Sequence, residues 1–283
     1  MLYTTAVPTR LEPQIRIRNT RKRKACPMLF KETDNKHLAL PTVILLHGGG
    51  LSWWSLSGIV ELLKDEYHVV TPILDGHGED GDKTFVSIED SSETLLEYID
   101  STCAGEVFAL CGLSLGAQIV AETLARRVDI CKFAVLESTL VLPIKMAIAL
   151  TVPTYKLFYG LVKLRWFSRM QAKTLFVPSE KFEQYYRDSV NISKQSLINI
   201  TISNGAYGVK SGIENSQARV LVIAGEKEIG IIKESARILC DRLPESTLYI
   251  VPRMGHGELS LAHPTEYVRL MKGFLTSEVS IPA

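Results

Sequence analysis

The chain contains no Cys-x-x-Cys pair, and none of its five cysteines is spaced with histidine as a metal ligand set would be. Cys26, Cys103, Cys111, Cys131 and Cys240 form an odd, scattered set, which favours reduced thiols and a cytoplasmic setting over a disulfide framework. Long apolar runs are also missing. The most apolar region, 135–164, is interrupted by Glu137, Lys145, Lys156, Lys163, Pro143 and Pro153. It therefore offers no stretch of about 18 uncharged residues, and no membrane span is expected. Met1 to Val7 is too short an apolar stretch for a secretory signal, and the basic residues follow it. Nor is there a charge imbalance: 32 basic against 31 acidic residues leave +1, which argues against polyanion binding by the protein as a whole. The Gly-Lys-Ser/Thr signature is absent, so a nucleotide cradle is disfavoured. His47, His77, Asp75 and Asp82 match no metal-site spacing. Neither a metal nor a cofactor is expected. No internal repeat or low-complexity tract is evident.

Regular patterning begins at Pro41. Residues 1–40 hold nine Lys/Arg against three acids, including the cluster Arg21-Lys22-Arg23-Lys24. They read as a basic, solvated lead-in, with Gln14 to Arg18 alternating like a short edge strand. Thr42 to Leu46, Tyr67 to Thr71, Val107 to Leu110 and Cys131 to Leu136 read as buried strands, with helices at Ile59 to Lys64, Ile88 to Asp100 and Gln118 to Leu124. The alternation returns late. Arg219 to Ala224 and Ser246 to Val251 are strand-like; Glu234 to Leu243 and Pro264 to Phe274 are helical. Near-continuous apolar strands separated by helices predict an α/β fold with a mostly parallel sheet flanked by helices. Residues 138–217 break the pattern and read as a mostly helical insertion over the C-terminal edge of a core made from 41–137 and 218–283.

The most informative stretch is Gly112-Leu113-Ser114-Leu115-Gly116, placed where a strand turns into a helix. A serine flanked at two residues by glycines suits a sharp strand-to-helix turn. The serine must hold positive φ, and the glycines let strand and helix approach. Taken alone, such a motif is often only a loop. Its weight grows because other candidate segments also follow strand ends, where the crevice of an open parallel sheet lies. A serine nucleophile needs a base. His256, between Gly255 and Gly257, has the loop setting that a mobile imidazole requires. His68 lies inside a strand, His37 precedes the regular region, and His263 reads as a helix-start residue. His47 suits a structural or oxyanion-shaping part. For the carboxylate that would orient the base, Glu228 in Gly225-Glu226-Lys227-Glu228 is preferred over Glu226, and Glu137, at the end of another strand, is the rival. The N–H of Leu115 and that of Gly49, with Gly50 as alternate, are candidate oxyanion donors. Asp75-Gly76-His77-Gly78 reads as a structural turn.

Taken in order, His47-Gly48-Gly49-Gly50, Asp75-Gly76-His77-Gly78, Gly112 to Gly116, Gly225 to Glu228 and Gly255-His256 resemble the α/β-hydrolase fold superfamily over about Thr42 to Phe274. The resemblance is to single-domain serine hydrolases with a helical cap inserted after the sixth strand. It implies that residues 138–217 are that cap. The sequence departs from the pattern twice: Glu228 stands where this subgroup usually carries Asp, and the usual opening hairpin is poorly marked in residues 1–40.

The expectation is a cofactor-independent serine hydrolase that cleaves a carboxylic ester or related acyl bond through an acyl-enzyme on Ser114. The alternative is a non-catalytic ligand-binding or signalling protein on the same fold. Leu157, Phe158, Tyr159, Trp166 and Phe167 favour an apolar, ester-like ligand, with most of them expected to pack internally. Trp53 and Trp54 are candidates either for the pocket wall or for the core.

Overall fold

The computed structural model describes residues 28–276. Its strands are β1 (Leu29–Glu32), β2 (Thr42–Leu46), β3 (His68–Ile73), β4 (Val107–Leu113), β5 (Cys131–Glu137), β6 (Arg219–Gly225) and β7 (Ser246–Val251). They form one seven-stranded sheet in the order β1-β3-β2-β4-β5-β6-β7. β1 pairs antiparallel with β3, and every other pairing is parallel.

Apolar residues run through the central strands because both faces of the sheet are covered. Val220, Val222 and Ala224 of β6 face one cluster and Leu221 and Ile223 the other, following the two-residue period of a strand. On the first face lie α2 (Ile88–Thr102), α3 (Leu115–Arg126) and α8 (Gly230–Arg242), and on the second α1 (Ser57–Leu63) and α10 (Pro264–Thr276). Ser87 caps α2 by accepting from the Asp90 N–H at 3.0 Å. In α3 every residue from Leu115 to Leu124 is buried, so this helix lies between the sheet and further structure.

That further structure is a helical insert of α4 (Lys145–Phe158), α5 (Arg165–Thr174), α6 (Phe182–Asn191) and α7 (Lys194–Ala206). Gln118 of α3 ties it down: its amide donates to the carbonyls of Leu140 (2.7 Å) and Asn204 (3.0 Å) and accepts from Asn204 (2.8 Å). A short helix, α9 (Glu258–Ala262), precedes α10.

The structure departs from the sequence reading at the first strand. Leu29–Glu32 is a strand inside the segment read as lead-in, and Met28 beside it is buried. Among the described strands, the insert follows β5. His263 ends α9 and also opens α10, as the sequence reading had it: its carbonyl accepts from the Tyr267 N–H at 3.0 Å. The Gln14 to Arg18 alternation lies outside the described residues. Cys103, Cys111, Cys131 and Cys240 are free thiols. Among the described residues no helix is long and apolar enough to cross a membrane, and no cluster of three or more His, Cys, Asp and Glu could hold a metal ion.

Candidate active site

β2 connects to β3 on one side of it and β4 pairs on its other side, so the strand order reverses between β2 and β4. The crevice above their C-terminal ends is where a sheet of this kind binds ligands. Gly48 to Gly50 follow β2 there, and Ser114 follows β4. Ser114 has φ 52° and ψ −110°, a conformation that costs an L-residue about 1–3 kcal/mol. It is held in place by its own N–H donating to the Glu137 carbonyl (2.9 Å) and by the Gln118 N–H donating to its carbonyl (3.0 Å). The flanking glycines are obligatory. A Cβ on Gly112 would sit 2.5 Å from Ala117 N and from the carbonyl of Gly116, and one on Gly116 would sit 2.5 Å from Leu46 O and 2.7 Å from His47 O. Because those neighbours are backbone, Gly116→Ala is expected to cost about 3 kcal/mol of stability, read as a lowered urea midpoint.

Three side chains distant in sequence meet here. The Ser114 Oγ lies 3.0 Å from His256 Nε2, and His256 Nδ1 lies 2.8 Å from Glu228 Oε2. With a carboxylate at Nδ1, that nitrogen carries the proton, and Nε2 is left to accept from the serine. His256 sits in the loop between β7 and α9, pinned on both sides. The Gly255 N–H donates to Glu258 Oε2 (2.6 Å), and the Gly257 N–H donates to Ser138 Oγ (3.0 Å). The Glu228 carboxyl is buried, while the imidazole is 46% exposed and so open to the crevice. Burial alone would raise the Glu228 carboxyl. Hydrogen bonds from His256, the Gly225 N–H (2.9 Å) and the Ser138 hydroxyl (2.7 Å) outweigh it and hold the group below the ordinary carboxylate value.

Ser138 escaped the sequence reading. Its hydroxyl donates to Glu228 Oε1 and accepts from Gly257 N–H, joining the ends of β5 and β6 to the histidine loop. The only signal in the sequence is a serine directly after a strand, which is also an ordinary turn residue. Its φ of 56° marks the sharp turn that aims it.

The rival carboxylate points elsewhere. Glu137 immediately precedes Ser138, and successive side chains at a strand end project to opposite sides. Glu137 Oε1 accepts from the Ser260 N–H at 3.2 Å, and Oε2 is buried without a partner. Burial pushes this carboxyl up to about 7. With the folded value above the unfolded one, the stability it confers is full below the unfolded value and is lost as pH rises through about 7. From the ordinary 4.5 to about 7 the difference is about 3 kcal/mol. Denaturant titrations should therefore show Glu137→Gln gaining on the wild type by up to about 3 kcal/mol as pH is raised from about 5 to 8.

Gly49, Gly50, Ser114, Leu115 and His256 all line one cavity of about 500 Å³. Leu115 is the first residue of α3, where N–H groups have no partner within the helix. A Cβ on Gly49 would stand 3.8 Å from that of Leu115, so the two candidate oxyanion donors belong to adjoining segments. The opposite wall comes from the insert and is mainly apolar, with Phe158, Leu161, Phe167 and Ile200 beside Gln171 and Asn204.

His47 is fully buried, and burial together with nearby His77 pushes it down to about 3. Its Nδ1–H donates to the Gly48 carbonyl (2.9 Å), and Nε2 accepts from the Leu74 N–H (3.2 Å), so it braces the glycine loop. The 75–78 segment is a tight turn: Gly78 has φ 50°, and a Cβ there would fall 2.2 Å from Ser52 Oγ. Trp53 and Trp54 pack in an apolar cluster under the insert and not on the 500 Å³ cavity. Trp54 Nε1 donates to Asp188 at 2.7 Å. The expectation that most of the five insert side chains pack internally fails: Leu157, Phe158 and Trp166 are 74%, 51% and 64% exposed.

A strained serine between two obligatory glycines, at the switch point of a parallel sheet, agrees with a profile of the Alpha/beta hydrolase family that matches residues 43–270. The chain belongs to this family. Among solved structures, this α/β hydrolase is similar to a thermophilic esterase from Thermogutta terrifontis (17% identity, TM-score 0.72, covering 90% of this chain and 96% of that one). It is also similar to an enol-lactonase from Burkholderia xenovorans (16%, 0.71, 88% and 96%) and to MenH from S. aureus (21%, 0.64, 90% and 99%). At these identities the likeness concerns the fold. No curated protein matches the chain at a significant level.

Proposed function

We propose that this α/β hydrolase cleaves carboxylic esters or related acyl bonds through an acyl-enzyme on Ser114. The observation that carries the reading is the unbroken hydrogen-bonded line from Ser114 Oγ through His256 to Glu228, opening on a largely apolar cavity. Ser114 Oγ attacks the carbonyl carbon as its proton passes to His256 Nε2. Glu228 holds the Nδ1 proton and stabilises the imidazolium. The N–H groups of Leu115 and Gly49 receive the developing oxyanion, each contributing about 3–4 kcal/mol. The C–O bond to the leaving alcohol breaks, and the alcohol takes the proton from Nε2. Water then attacks the acyl-serine with His256 as base, and the carboxylic acid departs.

The apolar wall around Phe158, Leu161 and Phe167 favours substrates with small to medium apolar acyl groups. A panel of p-nitrophenyl esters of graded chain length, run beside thioester and peptide substrates, should show turnover confined to the ester and thioester series. A fluorophosphonate probe should label the wild type. Ligand binding with no labelling and no turnover anywhere in the panel would instead favour a non-catalytic pocket.

A further inference from the structure

We propose that the outer face of the helical insert docks on the surface of an anionic lipid bilayer. Two observations meet on this face. First, α4 presents Met146, Leu150 and Leu157 to solvent at helical spacing, Leu164 follows, and α5 presents Trp166 and Met170 one turn apart. Met146 is 72% exposed and Leu157 74%, values that an apolar side chain without a covering surface rarely holds in such a group. Second, residues 138–179 contain no Asp or Glu, yet carry Lys145, Lys156, Lys163, Arg165, Arg169 and Lys173, all exposed.

Two of these cations are engaged with α6. Arg165 pairs with Glu183, and the Arg169 guanidinium lies 4.7 Å from the Phe182 ring centre. Lys163 lies 5.5 Å from the Tyr159 ring centre, and Lys145, Lys156 and Lys173 remain to meet a partner's negative charge. On α4, Lys145 and Lys156 lie along one border of the apolar stripe. On α5, Lys173 continues the basic stripe beside Trp166 and Met170.

The mixture selects its occupant. A second copy of the chain, placed face to face by a two-fold axis, would set lysine against lysine, with no acid in the segment to compensate. A nucleic acid would satisfy the lysines but leave Leu157, Met146 and Leu150 against water or phosphate. A bilayer accepts both. Its acyl boundary takes the leucines and methionines, tryptophan settles at the headgroup level, and lysines reach along their stems to lipid phosphates and carboxylates. The face also adjoins the cavity: Phe158 is half exposed and lines the 500 Å³ space. An amphiphile leaving the bilayer would thus meet an apolar wall continuous with the site. The docking itself does not depend on the hydrolytic reading.

The test uses the full chain carrying Ser114→Ala, so that no lipid is turned over. Phosphatidylcholine vesicles with and without phosphatidylserine are sedimented with the protein, and tryptophan emission is recorded. The protein should bind phosphatidylserine vesicles and lose roughly a hundredfold in affinity on the triple change Lys145→Glu, Lys156→Glu and Lys173→Glu. Leu157→Ser with Trp166→Ser should cost about tenfold or more, with circular dichroism unchanged. Binding should shift emission to shorter wavelength, and Trp166→Phe should remove that shift. Equal binding to both vesicle types, or vesicle binding that survives both sets of substitutions, would overturn the proposal. So would concentration-dependent self-association that Leu157→Ser with Trp166→Ser abolishes while vesicles fail to bind at all. Failure to hydrolyse any ester would overturn the proposed chemistry and leave this result standing.

Discussion

Ser114→Ala is expected to lower kcat for an activated p-nitrophenyl ester by about a million-fold while leaving the fold intact. The size follows from what the change removes. Without Oγ there is no covalent intermediate, and water must attack directly with His256 as its only base. The donors at Leu115 and Gly49 would survive, so a residual rate above the uncatalysed one should persist. Alanine carries a Cβ like serine, so the strained backbone at φ 52° is no worse off and the thermal midpoint should stay close to that of the wild type. Burst kinetics, in which one equivalent of p-nitrophenol appears before the steady state, should vanish in the variant. A fall of only a few fold would place the chemistry on another residue.

Glu228→Gln is the second large effect, a loss of about ten-thousand-fold in kcat. Two donors, the Gly225 N–H and the Ser138 hydroxyl, converge on Oε1. A glutamine would keep its carbonyl oxygen there and turn its NH2 toward His256 Nδ1. That nitrogen must then accept, the ring proton moves to Nε2, and Nε2 can no longer take the proton of Ser114. Glu137→Gln provides the control, with kcat expected to stay within a few fold because that carboxyl bonds to Ser260 and not to the imidazole. Steady-state kinetics on both variants, with folding checked by circular dichroism, decides between the two carboxylates. Equal losses would remove Glu228 from its proposed role.

Much of this architecture was legible in the sequence because the central strands are buried on both faces and so carry continuous apolar runs. β1 was not. Among the described residues Leu29–Glu32 pairs on one side only, with β3, and is largely exposed, so no apolar pattern marks it. The insert was legible as helical but not as to which side faced out: Leu157 and Trp166 look like core residues by type, and only the packing of α4 and α5 exposes them. At the site, Ser114 and His256 declared themselves through neighbouring glycines whose steric need is local. Choosing between Glu228 and Glu137 required knowing which way a strand-end side chain points, a matter of one residue in register. Ser138 could not have been found at all, since its task exists only once β5 and β6 lie side by side and the 255–257 loop closes over them.

The proposed reacting groups and the walls around them come from different parts of the chain. Ser114, Glu228 and His256 hang from strand ends on either side of the insert, whereas Phe158, Phe167 and Ile200 belong to it. Chemistry and appetite are thus separately heritable. Substitutions between 145 and 206 can retune what enters without disturbing how bonds are broken, and the rigid sheet can be passed down unchanged beneath a roof that is free to drift.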